Sequence, residues 1–182
     1  RCDEMLANGN YVNGVGYALG QLGSLDNTYN YMDIGHHGWL GWEDNFSPFA
    51  DLAYEAANAN GASPEDLHGF VSNVANYSAT QEPHFDGTEQ ASDGPVREES
   101  SWVDWNNYVD EVTYAQAYKD EMASVGFPNT SMIIDTSRNG WGGSERPDGP
   151  GDLSGTADDF VNDSRVDRRI HLGNWCNQAG AG

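Results

Sequence analysis

Short apolar runs alternate along the chain with stretches whose apolar residues recur at helical spacing. Three runs each follow a cluster of turn-forming residues, which predicts strands at residues 30–35, 68–74 and 131–136. Helical spacing predicts helices at residues 11–22, at 48–58 with Ser47 as the cap, and at 105–125. Helix and strand therefore alternate, which is typical of an α/β protein with a parallel sheet.

Two long polar segments interrupt this pattern. Residues 80–101 and 140–166 are rich in Gly, Pro, Asp and Glu, and we predict a loop for each of them. Loops of this length are uncommon in compact domains and are usually functional or disordered.

The chain is strongly acidic, with 8 Lys and Arg against 29 Asp and Glu and a net charge of −21 over 182 residues. This charge argues against a nucleic-acid-binding protein, whose affinity depends on clustered basic residues, and against contact with an anionic membrane. The sequence has no apolar run of about 18 residues, so no membrane span is predicted. Because dense carboxylates repel one another less when salt screens them, we hypothesise a salt-tolerant source. An ordinary acidic secreted protein is the alternative.

Two cysteines, Cys2 and Cys176, lie near opposite ends of the chain. Neither belongs to a CxxC motif or a Cys/His cluster, so we expect no zinc site. The sequence leaves two pairings open: a bond between the two cysteines, or bonds from each to a residue outside this chain.

Ligands of parallel α/β proteins bind beyond the carboxyl ends of the strands. The residues at the three predicted strand ends combine carboxylates, amides, imidazoles, a guanidinium and indoles: Asp33, His36, His37, Trp39 and Trp42; Asn76; Asp135 and Arg138. A pyranose ring offers C–H groups that rest on an indole, and hydroxyls that bond carboxylates and amides. The three strand ends together therefore predict a sugar-binding edge.

Each of these residues also has a purely structural interpretation. A Trp beside a strand end packs into the core more often than it carries a sugar, and His36 and His37 are also typical of hydrogen-bonded core residues. Asp33 and Asp135 are suited to capping helices. A metal site of Asp33, His36 and His37 is a further alternative, but the sequence offers no supporting outer ligands. We favour the sugar hypothesis because all three strand ends carry the same chemistry.

Four separated motifs carry a resemblance to a known family. Residues 33–42, DIGHHGWLGW, resemble the signature of glycoside hydrolase family 6, the inverting β-1,4-glucanases. Residues 70–77, 133–143 and 173–177 are similar to later blocks of that family, in the same order. The similarity covers essentially the whole chain. Residues 136–143 and the long acidic loops resemble bacterial exocellulases, or cellobiohydrolases, more than fungal ones.

The resemblance implies an α/β fold that is part of a distorted (β/α) barrel, with about three of the family's seven or so parallel strands present. It implies that residues 1–182 are the central portion of a catalytic domain, incomplete at both ends. The family's general acid and its candidate base lie in blocks outside this chain, so the chain alone is expected to lack both. Three strands cannot close a barrel, so we expect open sheet edges.

Individual residues also acquire roles from the resemblance. Asp33 is implied as an accessory active-site carboxylate. Substrate-binding roles, as stacking platforms or as hydrogen-bonding groups, are implied for Trp39, Trp42 and Trp175, and for His36, Asn76, Asp135 and Arg138. Cys2 and Cys176 are implied to form disulfides with partners outside this chain, which indicates an extracellular protein.

The implied function is inverting hydrolysis of β-1,4-glucosidic bonds in cellulose by an exo-acting enzyme that releases cellobiose. The expected partners are cellulose and cello-oligosaccharides. We expect no cofactor, metal, nucleic acid or membrane partner, and a secreted monomer. Two alternatives stay open: a non-catalytic β-glucan-binding module and an endo-acting β-1,4-glucanase.

Overall fold

A three-stranded parallel sheet lies at the centre of the computed structural model, which describes residues 2–174. The strands β1 (Tyr31–Asp33), β2 (Gly69–Ser72) and β3 (Ser131–Ile134) are ordered β1-β2-β3. The register aligns Met32 with Phe70, and Phe70 with Met132. The predicted parallel sheet is confirmed, although each predicted range is longer than the strand that forms.

Seven helices surround the sheet in the described residues. They are α1 (Cys2–Asn8), α2 (Asn10–Gly23), α3 (His37–Leu40), α4 (Glu43–Ala57), α5 (Val96–Glu99), α6 (Glu111–Val125) and α7 (Ala157–Ser164). Short 3₁₀ turns occupy Pro64–Asp66 and Gly143–Glu145. The three predicted helices correspond to α2, α4 and α6.

Two helix starts differ from the prediction. The helix α4 begins at Glu43, so Ser47 lies inside it and is not its cap. The reason is tertiary: the ring of Phe46, in the unpredicted first turn, packs 4.5 Å from the ring of Tyr118. The helix α6 begins only at Glu111, because the Asp110 side chain accepts a hydrogen bond from the backbone N–H of Thr113 and caps it there.

The main core joins the sheet to α2, α4 and α6. Ile34, Phe70, Tyr114, Tyr118 and Met122 are all fully buried in it. The Tyr114 hydroxyl donates to the backbone oxygen of Ile34 over 2.6 Å, which ties α6 to the end of β1. Helix α6 thereby fixes the position of the carboxyl end of the sheet.

The two long segments form a second small core instead of open loops. Phe85 and Val96 from the first segment pack with Phe160 and Val161 from the second. The backbone N–H of Ser92 donates to Gly155 O over 3.1 Å, which joins the segments directly. The helices α5 and α7 that form within them account for this packing.

The outer strands are more exposed than the middle one. Phe70 on β2 is fully buried, whereas the side chain of Ile133 on β3 is 42% exposed. Parallel strands are normally covered on both faces. Within residues 2–174, no helix has the length and apolar character needed to cross a membrane.

Candidate functional site

The carboxyl ends of the three strands meet at one edge. Backbone pairing continues past the strands there: Asn73 N–H donates to Gly35 O over 2.7 Å, and Asp135 N–H donates to Ser72 O over 3.0 Å. The residues that follow the three strands are therefore held side by side, as the sequence predicted for a common edge.

A cavity of about 440 Å³ opens at this edge. Four of the predicted site residues line it: Asp33, His36, Trp39 and Asn76. The remaining lining residues are mostly apolar or aromatic: Tyr11, Gly35, Leu40, Phe49, Ala75 and Gly173. An apolar wall with a few polar groups is the usual composition of a small-ligand site.

His36 and Asn76 form the polar centre of the cavity. The amide nitrogen of Asn76 lies 2.9 Å from Nδ1 and 2.8 Å from Nε2 of the His36 ring. The Asn76 oxygen accepts a hydrogen bond from Nη1 of Arg169 over 2.8 Å. Because a guanidinium only donates, this contact makes Oδ1 the atom that faces Arg169 and directs the amide nitrogen to His36.

The imidazole of His36 is held in its neutral form. Burial, followed by the nearby His37 ring, lowers the pKa of His36 to about 4; Glu111 opposes this shift and Arg169 adds to it. A neutral imidazole has one donor and one acceptor nitrogen. At neutral pH His36 can therefore bond a hydroxyl group without placing a charge in the cavity.

His37 lies in the core and not in the cavity. Its backbone N–H donates to Glu111 Oε1 over 3.0 Å, and its ring Nδ1 lies 2.9 Å from the same oxygen. Burial raises the pKa of Glu111, but the hydrogen bonds and charge of His37 outweigh it, so the net shift is downward. The Asn106 amide donates to His37 O over 2.8 Å and completes the support of α3.

The two predicted platforms after β1 differ in position. Trp39 lines the cavity, and its side chain is 60% exposed. Trp42 does not line the cavity; its indole N–H donates to Asp104 O over 2.8 Å. Trp39 is therefore the indole beside the His36–Asn76 pair.

The residues after β3 lie at the same edge but outside the cavity lining. Asp135 Oδ1 accepts hydrogen bonds from the hydroxyl (2.6 Å) and the backbone N–H (2.9 Å) of Ser137, and these bonds lower the pKa of Asp135. Arg138 donates to Val74 O, lies 3.4 Å from Asp135 Oδ2, and sits 5.3 Å from the centre of the Tyr77 ring. The guanidinium thus joins the ends of β2 and β3.

Neither aspartate caps a helix. Asp33 Oδ1 accepts the backbone N–H of Gly35 over 2.7 Å, which closes a local turn just as Asp135 does with Ser137. Among residues 2–174, no three His, Cys, Asp or Glu side chains gather into a group able to hold a metal ion. The metal alternative built on Asp33, His36 and His37 finds no support, because His37 is turned toward Glu111.

Three predicted residues fall wholly or partly outside this description. Trp175 and Cys176 lie beyond the described residues, and Cys2 is placed only by its backbone, at the start of α1. The predicted platform at Trp175 and both predicted disulfides therefore stay predictions.

Sequence reasoning missed the charged residues that support the site. Glu111 lies under His37, and Arg169 lies behind Asn76. The available signal was the clustering of Arg165, Arg168 and Arg169 within five residues of a chain that has only 8 basic residues in all.

Comparison with known proteins gives consistent matches. The model of glycosyl hydrolases family 6 matches residues 1–182. Exoglucanase A of Cellulomonas fimi is 43% identical over 174 residues, which are 94% of this chain and 20% of that protein. The chain thus spans only about a fifth of this relative.

Solved structures agree with the sequence matches. The catalytic domain of Cellulomonas fimi Cel6B superimposes with a TM-score of 0.89 at 43% identity, covering 97% of this chain and 40% of that one. Cellobiohydrolase II (Cel6A) of Humicola insolens, in complex with glucose and cellotetraose, gives a TM-score of 0.66 at 28% identity, covering all of this chain and 39% of that one. The expected α/β fold with three parallel strands, matching part of a catalytic domain of this family, is therefore confirmed.

Proposed function

Since this chain belongs to glycosyl hydrolases family 6, we propose that it is the central portion of a catalytic domain that hydrolyses β-1,4-glucosidic bonds in cellulose. The observation that carries the proposal is the cavity at the carboxyl edge, where the neutral His36–Asn76 pair lies beside the exposed indole of Trp39. Imidazole and amide groups suit sugar hydroxyls, and an indole suits a pyranose face.

The proposed roles follow from position. Trp39 stacks on a glucosyl ring, and His36 and Asn76 bond its hydroxyls. Asp33 supplies a carboxylate at the cavity wall. Trp42, Asp135, Arg138 and Trp175 extend the binding edge to further glucosyl units.

The chain needs further residues for catalysis. Inverting hydrolysis requires a general acid for the leaving oxygen and a base for the attacking water. We assign both to parts of the domain outside this chain. Ile133 on the outer strand β3 is exposed, although parallel strands are normally covered. We therefore infer that further strands of the complete domain cover this side of β3.

We infer exo action with release of cellobiose. The exoglucanase and cellobiohydrolase names of the relatives support it, and so do the two long segments, which pack on each other as one unit able to roof a cleft. The test is carboxymethylcellulose: exo action releases sugar while viscosity falls slowly, and endo action lowers viscosity early.

Cellulose is a polymer too large to enter a cell, so the proposed enzyme is secreted and acts outside the cell. We also propose that it is a monomer. Disulfides at Cys2 and Cys176 fit this location. Alkylation of the unreduced complete domain followed by peptide mapping tests them, and free thiols at Cys2 and Cys176 would exclude the bridges.

A pair of matched tryptophan variants tests the proposed site. Trp39 and Trp105 are almost equally exposed, at 60% and 61%, but only Trp39 lines the cavity. Loss of one stacking contact costs about 1 kcal/mol, so Trp39→Ala should weaken cellotetraose binding by about 5-fold in calorimetry of the complete domain. Trp105→Ala should leave it unchanged. If both variants weakened binding equally, or if neither weakened it, the assignment of Trp39 as a stacking platform would be refuted.

A further inference from the structure

The buried guanidinium of Arg169 joins Asn76, which lines the cavity, to Asp167 in the segment that follows helix α7. The Arg169 side chain is 1% exposed, and Asp167 is 2% exposed. Arg169 Nε donates to both carboxylate oxygens of Asp167, over 3.0 and 3.1 Å, and Nη2 donates to Oδ2 over 2.7 Å. The pair is thus fully desolvated and bidentate, the geometry in which an Arg–carboxylate contact is most specific.

The third nitrogen of Arg169 faces the proposed site. Nη1 donates to Asn76 Oδ1 over 2.8 Å, to Leu172 O over 3.1 Å and to Asn174 O over 3.2 Å. One nitrogen therefore holds the amide of Asn76 and also the backbone that leads to position 175.

The hydrogen bond from Arg169 to Asn76 determines which end of the Asn76 amide faces the His36 ring. If the Asn76 amide turned by half a rotation, its oxygen would face the His36 ring and its NH₂ group would face the Arg169 donors. The guanidinium excludes that arrangement because two donors cannot bond each other. The amide nitrogen consequently stays beside the ring, 2.9 Å from Nδ1 and 2.8 Å from Nε2, and donates to whichever of these two nitrogens carries no proton.

The segment that carries the pair is itself anchored. The backbone N–H groups of Val166 and Asp167 donate to the two oxygens of the buried Glu82 carboxyl group over 2.6 and 2.9 Å. Glu82 N–H donates in turn to Asp110 Oδ2 over 2.9 Å, at the cap of α6. The segment of Arg169 is therefore tied, through the side chains of Glu82 and Asp110, to the helix that supports β1.

We propose that the Asp167–Arg169 pair is a positioning unit for sugar recognition, which sets the orientation of the Asn76 amide and thereby the group that the His36 imidazole meets. The inference rests on the proposed function. It assigns roles to two residues that do not line the cavity and that act only through Asn76 and the backbone at residues 172–174.

The variant Arg169→Lys tests the proposal. Lysine keeps the buried positive charge beside Asp167, but one ammonium group cannot span Asp167, Asn76 and the backbone oxygens as the forked guanidinium does. In the complete domain we expect cellotetraose binding to weaken at least 10-fold at pH 7. Arg97→Lys is the control, since Arg97 bonds Asn107 and does not contact Arg169, Asp167 or Asn76 through any of the bonds described above. The Arg97→Lys variant should bind cellotetraose with unchanged affinity.

The pH dependence separates positioning from general loosening of the fold. The charged and titratable groups that act on His36 are His37, Glu111 and Arg169, and Asp33 lines the same cavity. Once the Asn76 amide is free to turn its oxygen to the ring, His36 should accept a proton at higher pH. The pH below which cellotetraose binding is lost should therefore be higher in Arg169→Lys than in the wild type, and it should be unchanged in Arg97→Lys. A uniform loss at every pH would indicate a merely structural role and overturn the proposal.

NMR titration of the His36 ring, without ligand, keeps the test independent of binding and of variant folding. In the wild type the ring should stay neutral down to about pH 5, and in Arg169→Lys it should titrate higher. Wild-type titration near the ordinary value of 6.5 would overturn the inference even if Arg169→Lys does not fold. Failure of the wild type to bind cellotetraose, with the titrations as expected, would instead refute the proposed function alone.

Discussion

Replacement of Glu82 by Gln tests the buried network through its dependence on pH. Glu82 is 6% exposed, and burial raises the pKa of its carboxyl from 4.5 to about 8, against the opposing hydrogen bonds from Val166 and Asp167. The folded state therefore binds this proton more tightly than the unfolded chain does. The stabilisation is fully present below about pH 4.5 and is lost as the pH rises to about 8.

The magnitude follows from this interval of pH. Each pH unit between the two pKa values is worth about 1.4 kcal/mol, so the contribution over the interval amounts to at most about 5 kcal/mol. Gln does not titrate, and its NH₂ group, which faces one backbone donor, adds a cost that is the same at every pH. The wild type should thus lose stability relative to Glu82→Gln as the pH rises from 4.5 to 8.

Urea unfolding of the complete domain, followed by tryptophan fluorescence at pH 4.5, 6 and 8 and fixed ionic strength, measures this difference. The exposed Glu98 supplies the control, since Glu98→Gln should track the wild type at each pH. A difference between wild type and Glu82→Gln that is constant from pH 4.5 to 8 would refute the reasoning.

Three further predictions concern the support of the edge and the charge of the chain. Tyr114→Phe leaves Ile34 O without its 2.6 Å donor and should lower the free energy of unfolding by about 1–3 kcal/mol, while the exposed Tyr17→Phe should not; equal values would contradict the role of this bond. A Cβ at Gly41 would lie 2.2 Å from His37 O, so Gly41→Ala should cost about 1–3 kcal/mol in thermal unfolding. A Cβ at Gly14 in α2 would have no atom within 4 Å, so Gly14→Ala should instead stabilise the fold by up to about 1 kcal/mol. A change of stability with the same sign in both variants would contradict this prediction. The net charge of −21 predicts a melting temperature that rises between 0.1 and 1 M NaCl, as the screening length falls from about 10 to about 3 Å; a flat or falling curve would exclude salt-dependent stability.

The sheet and its edge were predictable because local patterns determine them. Each strand is a short apolar run after a turn, and the carboxyl ends of parallel strands meet by geometry. Asp33, His36, Trp39 and Asn76 could therefore be assigned to one place before any contact was known, and the structure brings them around one cavity.

Contacts between distant parts of the chain were not predictable in the same way. The first turn of α4 is held by Phe46 packing on Tyr118, and the two long segments are ordered by the core that they form with each other. The partner of Asn76 is Arg169, 93 positions along the chain. No local period or motif encodes such a pairing, and the cluster of arginines indicated only that an acidic chain holds positive charge at that place.

The anomer released from cellotetraose tests the central claim most directly. In time-resolved proton NMR on the complete domain, the reducing ends newly formed by cleavage should appear first as the α anomer and then mutarotate towards the equilibrium mixture, since inversion at a β-linked glucosyl unit gives the α anomer. New reducing ends that appear first as the β anomer would contradict the inverting mechanism. Binding of cellotetraose without cleavage would contradict the hydrolase and favour a β-glucan-binding module.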